Sequence, residues 1–197
     1  MAAALIELGD PPAAWERLGF APDAAGDVAL GEARVRLTGR GGGILRIEAD
    51  DLTARHPDGL PLQPSSRGLT PEPSSRGLTP GRGLGHPNGA SGVDHVVALT
   101  GSLARTVAAL EAAGLDLRRS TETMAFFRLG PTILEVVERG GDPPRLWGLV
   151  VVVPRLEVLG PLVGAAKDAV QPGRRIATVS REAGLGAALA LMTPRRT

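Results

Sequence analysis

The stretch from residue 92 to 139 most constrains what this chain can fold into, because its apolar residues are ordered first as a strand, then as a helix, then as three short strands. In VDHVVAL, at residues 93–99, alternate positions are apolar, which predicts a half-buried strand. Ser102 then predicts a helix N-terminus and Gly114 its end. The segments LDLRRS, TMAFFRL and PTILEVV follow as strands. We therefore expect a βαβββ unit at residues 92–140.

Weaker versions of the same strand–helix–strands order lie on either side of residues 92–140. Residues 1–52 contain the strand-like ALIEL, a short helix for which Asp10 is the predicted N-cap and Pro11 the first helical position, and further strand segments. Glycines at 41–43 separate two of those segments and predict a hairpin. Residues 145–193 contain the strand LWGLVVVV, a helix weakened by glycine and proline, and more strands. The sequence thus predicts three related units.

A segment of different composition separates the first two units. Residues 53–91 are rich in Pro, Gly, Ser and Arg, and the octapeptide PSSRGLTP occurs at 64–71 and again at 73–80. Such a composition buries too little apolar surface to fold by itself, which indicates a solvated linker, with a docking motif as the alternative. His56 and His86 lie beside prolines in this segment and are expected to be solvated.

Composition excludes several classes of function. The chain has 197 residues, 43% hydrophobic, which is enough for a real core, and a net charge of +1. Aromatic residues make up 3% and there is no tyrosine, so the stacking platforms of single-strand binders are missing and no nucleic-acid partner is expected. The absence of cysteine rules out thiolate ligands and nucleophiles. The longest apolar run, residues 146–153, is too short to span a bilayer, and the N-terminus lacks a signal-peptide pattern, so we expect no membrane association and a cytoplasmic location.

Two residues of the second unit are candidate functional groups. His95 follows the acid in VDHVV, and Glu135 lies in the apolar run TILEVV, where alternation points it the same way as Ile133 and Val137. Burying an unpaired carboxylate is costly, so Glu135 needs a partner or solvent. Ordinary structural roles are a histidine that donates to a backbone carbonyl and a Glu135 that pairs with Arg128.

The unit resembles the vicinal oxygen chelate superfamily, which contains glyoxalases, bleomycin-resistance proteins and extradiol dioxygenases. The resemblance rests on DHVV, the helix SLARTVAALEAAGL and the segment FFRLGPTILEVVE. It implies an α+β fold in which repeated βαβββ units form a curved mixed sheet around a cleft, with the helices on the outer face. It also implies a divalent metal, Zn, Ni, Mn or Fe, bound on the first and last strands of each unit. His95 and Glu135 match those ligand positions, and Glu135 is the candidate catalytic residue.

The other units do not repeat this pair. Aligning the units by their turns places Ala4, His95 and Gly148 in the first-strand column, and Glu48, Glu135 and an aliphatic residue such as Leu189 or Leu191 in the last-strand column. If the first two units pair, Glu48 is a third ligand; if the last two pair, His95 and Glu135 are the only ligands that remain. Catalytic metal sites typically have about three protein ligands, so the metal is less strongly supported than the fold.

The resemblance predicts a glyoxalase-like protein that binds a small molecule. One form is a metal-dependent lyase, isomerase or dioxygenase acting on a small oxygenated molecule; the alternative is a metal-free binding protein that sequesters its ligand in the same cleft. Candidate substrate-binding residues are Met124, Phe126, Arg128 and Trp147, for which core packing is the ordinary role of the aromatic residues. A homodimer, in which a second subunit completes the site, is a further expectation.

Overall fold

The computed structural model describes residues 4–65, 85–139, 141 and 143–195, so the two PSSRGLTP copies fall almost wholly outside the described residues. These residues form a five-stranded and an eight-stranded sheet. The first sheet consists of β1 (Ala4–Leu8), β2 (Asp27–Leu30), β3 (Ala33–Leu37), β4 (Ile44–Ala49) and β5 (Leu62–Pro64). The second consists of β6 (Gly92–Thr100), β7 (Leu117–Ser120), β8 (Met124–Leu129), β9 (Thr132–Glu138), β10 (Arg145–Val152), β11 (Lys167–Asp168), β12 (Arg175–Thr178) and β13 (Ala188–Met192). The helices are α1 (Pro12–Glu16) and α2 (Leu103–Ala112).

The second unit has the predicted βαβββ order. Strand β6 leads into α2, whose N-cap Ser102 accepts a hydrogen bond from the Arg105 amide, and β7, β8 and β9 follow. Strand β9 pairs in parallel with β6, and β8 and β7 extend the sheet outward in antiparallel fashion. The buried Phe127 on β8 and the buried Leu110 on α2 belong to the same core, which places the helix on one face of the sheet. The predicted α+β class with βαβββ units is confirmed.

The third unit repeats the strand plan without its helix. Strand β13 pairs in parallel with β10, and β12 and β11 continue outward. Where a helix was expected, the chain forms a short 3₁₀ segment at Glu157–Leu162, interrupted at Gly160 with φ 67°. Because Pro161 cannot donate a helical hydrogen bond and Gly160 occupies the left-handed region, the segment does not continue as an α-helix.

The two C-terminal units meet at a pseudo-two-fold axis. Strands β6 and β10 pair antiparallel at the centre of the eight-stranded sheet, with His95 opposite Val150 and Val97 opposite Gly148. Exchanging His95 with Gly148 and Val97 with Val150 maps each of these pairs onto the other. Each unit therefore extends the same sheet in the opposite direction from a shared centre.

The first sheet has a different strand order. Strand β1 lies between β3, to which it is parallel, and β4, to which it is antiparallel. The hairpin predicted at residues 41–43 is wrong, because β3 and β4 flank β1 instead of pairing. The glycines pass over the end of β1, where the Gly9 amide bonds the Gly43 carbonyl at 3.0 Å and the Gly41 amide bonds the Gly9 carbonyl at 2.8 Å. The hairpin of this sheet joins β2 to β3.

A buried carboxylate connects the first sheet to the third unit. Asp10 is not the N-cap of α1, which is Pro11. Its carboxylate accepts hydrogen bonds from Trp15 Nε1 at 3.0 Å and from the Gly186 amide at 2.6 Å, and the side chain is 1% exposed. Buried acceptors require such donors. Asp10 thus joins the N-terminal segment to the loop before β13.

Residues at both ends of the expected linker pack against the rest of the protein. His86 is buried, not solvated: its Nδ1 accepts from the Ala21 amide at 3.1 Å and its Nε2 lies 2.7 Å from the Ala29 carbonyl oxygen. Pro57–Gly59 forms a 3₁₀ turn whose Asp58 accepts from Arg105 on α2 at 2.8 Å. The residues on either side of the tandem repeat therefore belong to the folded body.

Candidate functional site

A cleft of ≈580 Å³ opens on the face of the eight-stranded sheet opposite α2. Its walls are mostly apolar and come from both C-terminal units, which is the position that the resemblance implies for a ligand. A pocket of this size suits a small organic molecule. The lining residues with aliphatic side chains are Val97, Leu99, Val137, Leu149, Val150, Ile176, Ala188, Leu189 and Ala190.

His95 and Glu135 meet at the wall of this cleft. His95 Nε2 lies 3.5 Å from Glu135 Oε2, and the two side chains are 13% and 22% exposed. The geometry follows from the register: Glu135 stands opposite Val97 on parallel strands, two residues along β6 from His95 and on the same face. The two residues of the predicted pair are therefore brought together, and Glu135 reaches His95 rather than Arg128.

A β-bulge brings Asp94 beside His95. Strand β10 places Val150 opposite His95 and Val151 opposite Val93, so Asp94 is the extra residue on β6. Its Oδ2 lies 2.8 Å from His95 Nδ1. Side chains of adjacent strand residues normally point to opposite faces, so only the bulge permits this contact. Sequence reasoning missed Asp94 as a site residue because the bulge leaves no signal in VDHVV.

Asp94 is held in turn by a buried arginine. Arg174, 3% exposed, donates through Nη1 to Asp94 Oδ1 at 2.6 Å and through Nε to the Thr193 carbonyl at 2.7 Å. Burial acts to raise the pKa of Asp94, but hydrogen bonds from His95 and Arg174 outweigh it and set this pKa below its ordinary value. An ionised Asp94 is acceptor-only, so the Nδ1 atom of His95 carries a proton. In the neutral ring Nε2 is then an acceptor that faces the Glu135 carboxylate.

The third unit contributes no polar partner to this pair. The two-fold axis relates Gly148 to His95. Gly148 pairs with Ala188 on β13, just as His95 pairs with Ile133 on β9. Two residues further along these strands, Ala190 therefore corresponds to Glu135. The counterpart of Glu135 in the third unit is thus Ala190, one position from the predicted Leu189 or Leu191. A Cβ atom at Gly148 would lie 2.4 Å from the Ala188 carbonyl oxygen and 2.8 Å from Ala188 Cβ. The position cannot carry a side chain without moving β13.

Glu48 is not brought to the cleft. It lies on β4 of the other sheet, 5% exposed, where it accepts from Gln63 Nε2 at 2.9 Å and lies 3.3 Å from Arg46 Nε. Strand β4 pairs antiparallel with β1 as β10 does with β6, so Glu48 is not the topological counterpart of Glu135. Within the described residues, no group of three or more His, Cys, Asp or Glu side chains could hold a metal ion.

The candidate substrate-binding residues divide into two groups. Trp147 lines the cleft and is 49% exposed. Met124, Phe126 and Arg128 stand opposite cleft-facing positions of β9 but lie on the next strand, β8, outside the lining of the cleft. Arg128 donates through Nε to the Gly130 carbonyl at 2.9 Å. Their role in binding a substrate stays a prediction.

Three cations line the cleft that sequence reasoning did not single out. Arg139 follows β9, Arg145 begins β10, and Lys167 lies on β11. Among the described residues, none of the three has a carboxylate within ion-pair distance, whereas Glu135 is the one acid in the lining. Among the described residues the lining of the cleft is therefore net positive, a property that depends on the strand order.

Comparisons with known proteins give the following result. No family model and no curated protein matches the sequence. Among solved structures, methylmalonyl-CoA epimerase from Mycobacterium tuberculosis is 15% identical, with a TM-score of 0.45 over 54% of this chain and 90% of that one. A variant of the Streptomyces coelicolor methylmalonyl-CoA epimerase in complex with 2-nitronate-propionyl-CoA is 14% identical, with a TM-score of 0.44 over 53% of this chain and 97% of that one. A hypothetical protein from Bacillus halodurans is also 14% identical, with a TM-score of 0.44 over 53% and 95%.

No helix in the described parts of the chain has the length and apolar character needed to cross a membrane. The eight-stranded sheet consists of two four-stranded units that pair through β6 and β10 and face one cleft, the first of them a complete βαβββ unit. The C-terminal half of this chain thus has the strand plan that the sequence resemblance implies, with two units around one cleft.

Proposed function

We propose that this chain is a glyoxalase-like protein of the vicinal oxygen chelate superfamily that binds one small hydroxyl-bearing molecule in the cleft of its eight-stranded sheet. The proposal depends on one observation: His95 Nε2 and Glu135 Oε2 lie 3.5 Å apart on the cleft wall. With the Nδ1 proton directed to Asp94, both atoms are acceptors in the neutral state. A ligand with two adjacent hydroxyls supplies one donor to His95 Nε2 and one to the Glu135 carboxylate.

The donor set does not fit a tightly held metal ion. His95 and Glu135 supply two donors, and the two-fold counterparts Gly148 and Ala190 supply none. Catalytic metal sites typically have about three protein ligands. The metal-free form of the function is therefore the better supported one, and it gives His95 a direct role.

In that form His95 accepts a proton from the bound hydroxyl at Nε2. Asp94 stabilises the resulting imidazolium through Nδ1, and the Nε2–H group of the imidazolium faces both the ligand oxyanion, which keeps the negative charge, and the Glu135 carboxylate. The aliphatic walls keep water away and strengthen these interactions. The same arrangement suits sequestration of the molecule and proton transfer in an isomerase or lyase step.

Binding can be measured through Trp147 fluorescence with catechol, a planar molecule with two adjacent hydroxyls. We expect saturable quenching, and a loss of affinity of about tenfold in Glu135→Ala and in His95→Ala, since hydrogen bonds to charged groups contribute about 1.5–3 kcal/mol. Glu122→Ala, an exposed change in the turn between β7 and β8, is the matched control. Quenching that is equal in all four proteins would refute the proposal.

A second candidate is the metal-dependent enzyme. It is favoured by the orientation of His95: its Nε2 atom faces the Glu135 carboxylate, as it would if both groups bound one metal ion. Its test is equilibrium dialysis of the wild type against Zn²⁺, Ni²⁺, Mn²⁺ and Fe²⁺, followed by metal analysis. Stoichiometric metal that is lost in His95→Ala and Glu135→Ala but kept in Glu122→Ala would establish this candidate in place of the metal-free form.

A further inference from the structure

We infer that the cleft selects an anionic ligand, whose carboxylate binds between Arg139 and Arg145 while its hydroxyl end reaches His95 and Glu135. The inference rests on the proposed function for the position of the hydroxyl end. It adds a second recognition point at the other end of the cleft and sets the length and charge of the molecule.

The two arginines converge by topology. The Arg139 amide bonds the Thr100 carbonyl at 3.0 Å, and Arg145 stands opposite Leu99, so the arginines flank the end of β6 on its two neighbouring strands. Adjacent strands lie about 4.8 Å apart, which places the two backbones on the order of 10 Å from each other. Both side chains are exposed and line the cleft, within reach of one anion between them.

An arginine is suited to this role. Its guanidinium presents a fork of donors that matches a carboxylate, and it remains charged at all relevant pH values. Among the described residues neither arginine has a carboxylate within ion-pair distance with which a ligand anion would compete. The acid in the lining, Glu135, lies beside His95 at the other end of the cleft, 3.5 Å from its Nε2 atom.

The surface between the two ends is apolar. Val137 lies between Glu135 and Arg139 on the same face of β9, and Trp147 follows Arg145 by two residues on β10. A rise of about 3.3 Å per residue separates the Glu135 and Arg139 backbones by about 13 Å. The ligand is therefore an elongated amphiphile, with a planar or aliphatic body against Trp147 and polar groups at both ends.

The experiment uses three probes: catechol, a catechol that carries a pentanoate chain opposite one hydroxyl, and the methyl ester of that pentanoate. Trp147 is the reporter because it lines the cleft, whereas the other tryptophan, Trp15, is buried outside the cleft lining and gives a constant background. We expect the carboxylate to bind about tenfold more tightly than its ester, by the strength of charge-assisted hydrogen bonds. Arg139→Gln and Arg145→Gln are each expected to remove most of this preference and to leave catechol and ester binding unchanged.

Two controls separate a local site from general attraction. Arg118→Gln removes an exposed arginine on β7 that pairs with Asp116 outside the cleft. Lys167→Gln removes the third lining cation, which lies on the edge strand β11, three strands from Arg145. We expect neither to change the preference by more than about twofold. Equal binding of acid and ester in the wild type would overturn the inference, as would losses in the two controls as large as those in the arginine variants.

The two proposals fail in different ways. If catechol binds with the expected dependence on Glu135 but the carboxylate gives no advantage, the anion site is wrong and the hydroxyl site stands. If His95→Ala and Glu135→Ala bind all three probes as the wild type does, the proposed function is wrong.

Discussion

Asp94 shows how a side chain that touches no ligand can define the site. Its carboxylate links His95, through a 2.8 Å contact with Nδ1, to the buried Arg174. Outer carboxylates of this kind fix the tautomer and the orientation of a histidine ring. Without Asp94 the imidazole could rotate or exchange the roles of its two nitrogens, and the acceptor directed at the cleft would be lost.

We expect Asp94→Asn to lower the free energy of unfolding by about 2–3 kcal/mol at neutral pH, because it leaves the buried Arg174 without its charged partner. The pKa of Asp94 is lower in the folded than in the unfolded state. Its stabilisation is therefore complete above the unfolded value of about 3.9 and is lost as the pH falls through the lower folded value.

Urea denaturation of both proteins from neutral pH down to acid measures this difference. The gap between wild type and Asp94→Asn should be constant near neutrality and close in acid. A gap that persists at the lowest accessible pH would show that packing, not the ionised carboxylate, stabilises this region.

At the scale of elements, strand β10 is restricted by its neighbour. Gly148→Ala places a methyl group against the backbone of β13, 2.4 Å from the Ala188 carbonyl oxygen. Forcing such a group into a packed sheet costs about 1–3 kcal/mol. We expect a loss of that size in the free energy of unfolding, measured by urea denaturation.

Gly92→Ala is the matched control, since Gly92 begins the neighbouring strand β6 and a Cβ there has no heavy atom within 4 Å. Alanine restricts the unfolded chain more than glycine, so this change should be neutral or stabilising by less than about 1 kcal/mol. If both variants lose equal stability, the close approach of β13 is not the cause.

The elements also show what could be predicted. Alternation and capping at Ser102 were sufficient for β6, α2 and the three strands after it, because each has a strong local pattern. The helix predicted for the third unit does not form, because Gly160 and Pro161 disfavour it more than its weak apolar stripe favours it. The position of β1 between β3 and β4 was not predictable, because strand order depends on long-range pairing and the glycine run allowed either a hairpin or a crossover.

The candidate site was predictable only in part for the same reason. His95 and Glu135 could be paired because alternation and the resemblance place both on one face. Asp94 depends on a bulge, and Arg139 and Arg145 converge only through the order of three strands. None of these features leaves a mark in local sequence.

Across the whole molecule, the two sheets share one apolar core, which includes Trp15 and Ile6 on one side and Leu149 and Leu191 on the other. Asp10 adds a polar connection through the Gly186 amide. A continuous core predicts a single cooperative unfolding transition. The two units of the cleft should not unfold before the first sheet.

Trp147→Phe leaves Trp15 as the sole fluorescent reporter of the first sheet, while circular dichroism reports both sheets. We expect their urea transitions to coincide, and Asp10→Ala in this background to shift both by the same amount, about 2–3 kcal/mol, since it leaves buried donors without an acceptor. Glu32→Ala, in the exposed turn between β2 and β3, is the control. Separate midpoints for the two signals would contradict a single cooperative body.

The contact between Gly148 and Ala188 also has a historical consequence. Suppose that the two C-terminal units descend from one duplicated unit. In the third unit the backbones of β10 and β13 then approach each other too closely at Gly148 for a side chain, whereas the second unit has His95 at the equivalent position. A single codon change at position 148 cannot restore that histidine, because the obstacle includes the main chain of another strand. A change at position 148 alone therefore cannot make the cleft symmetric.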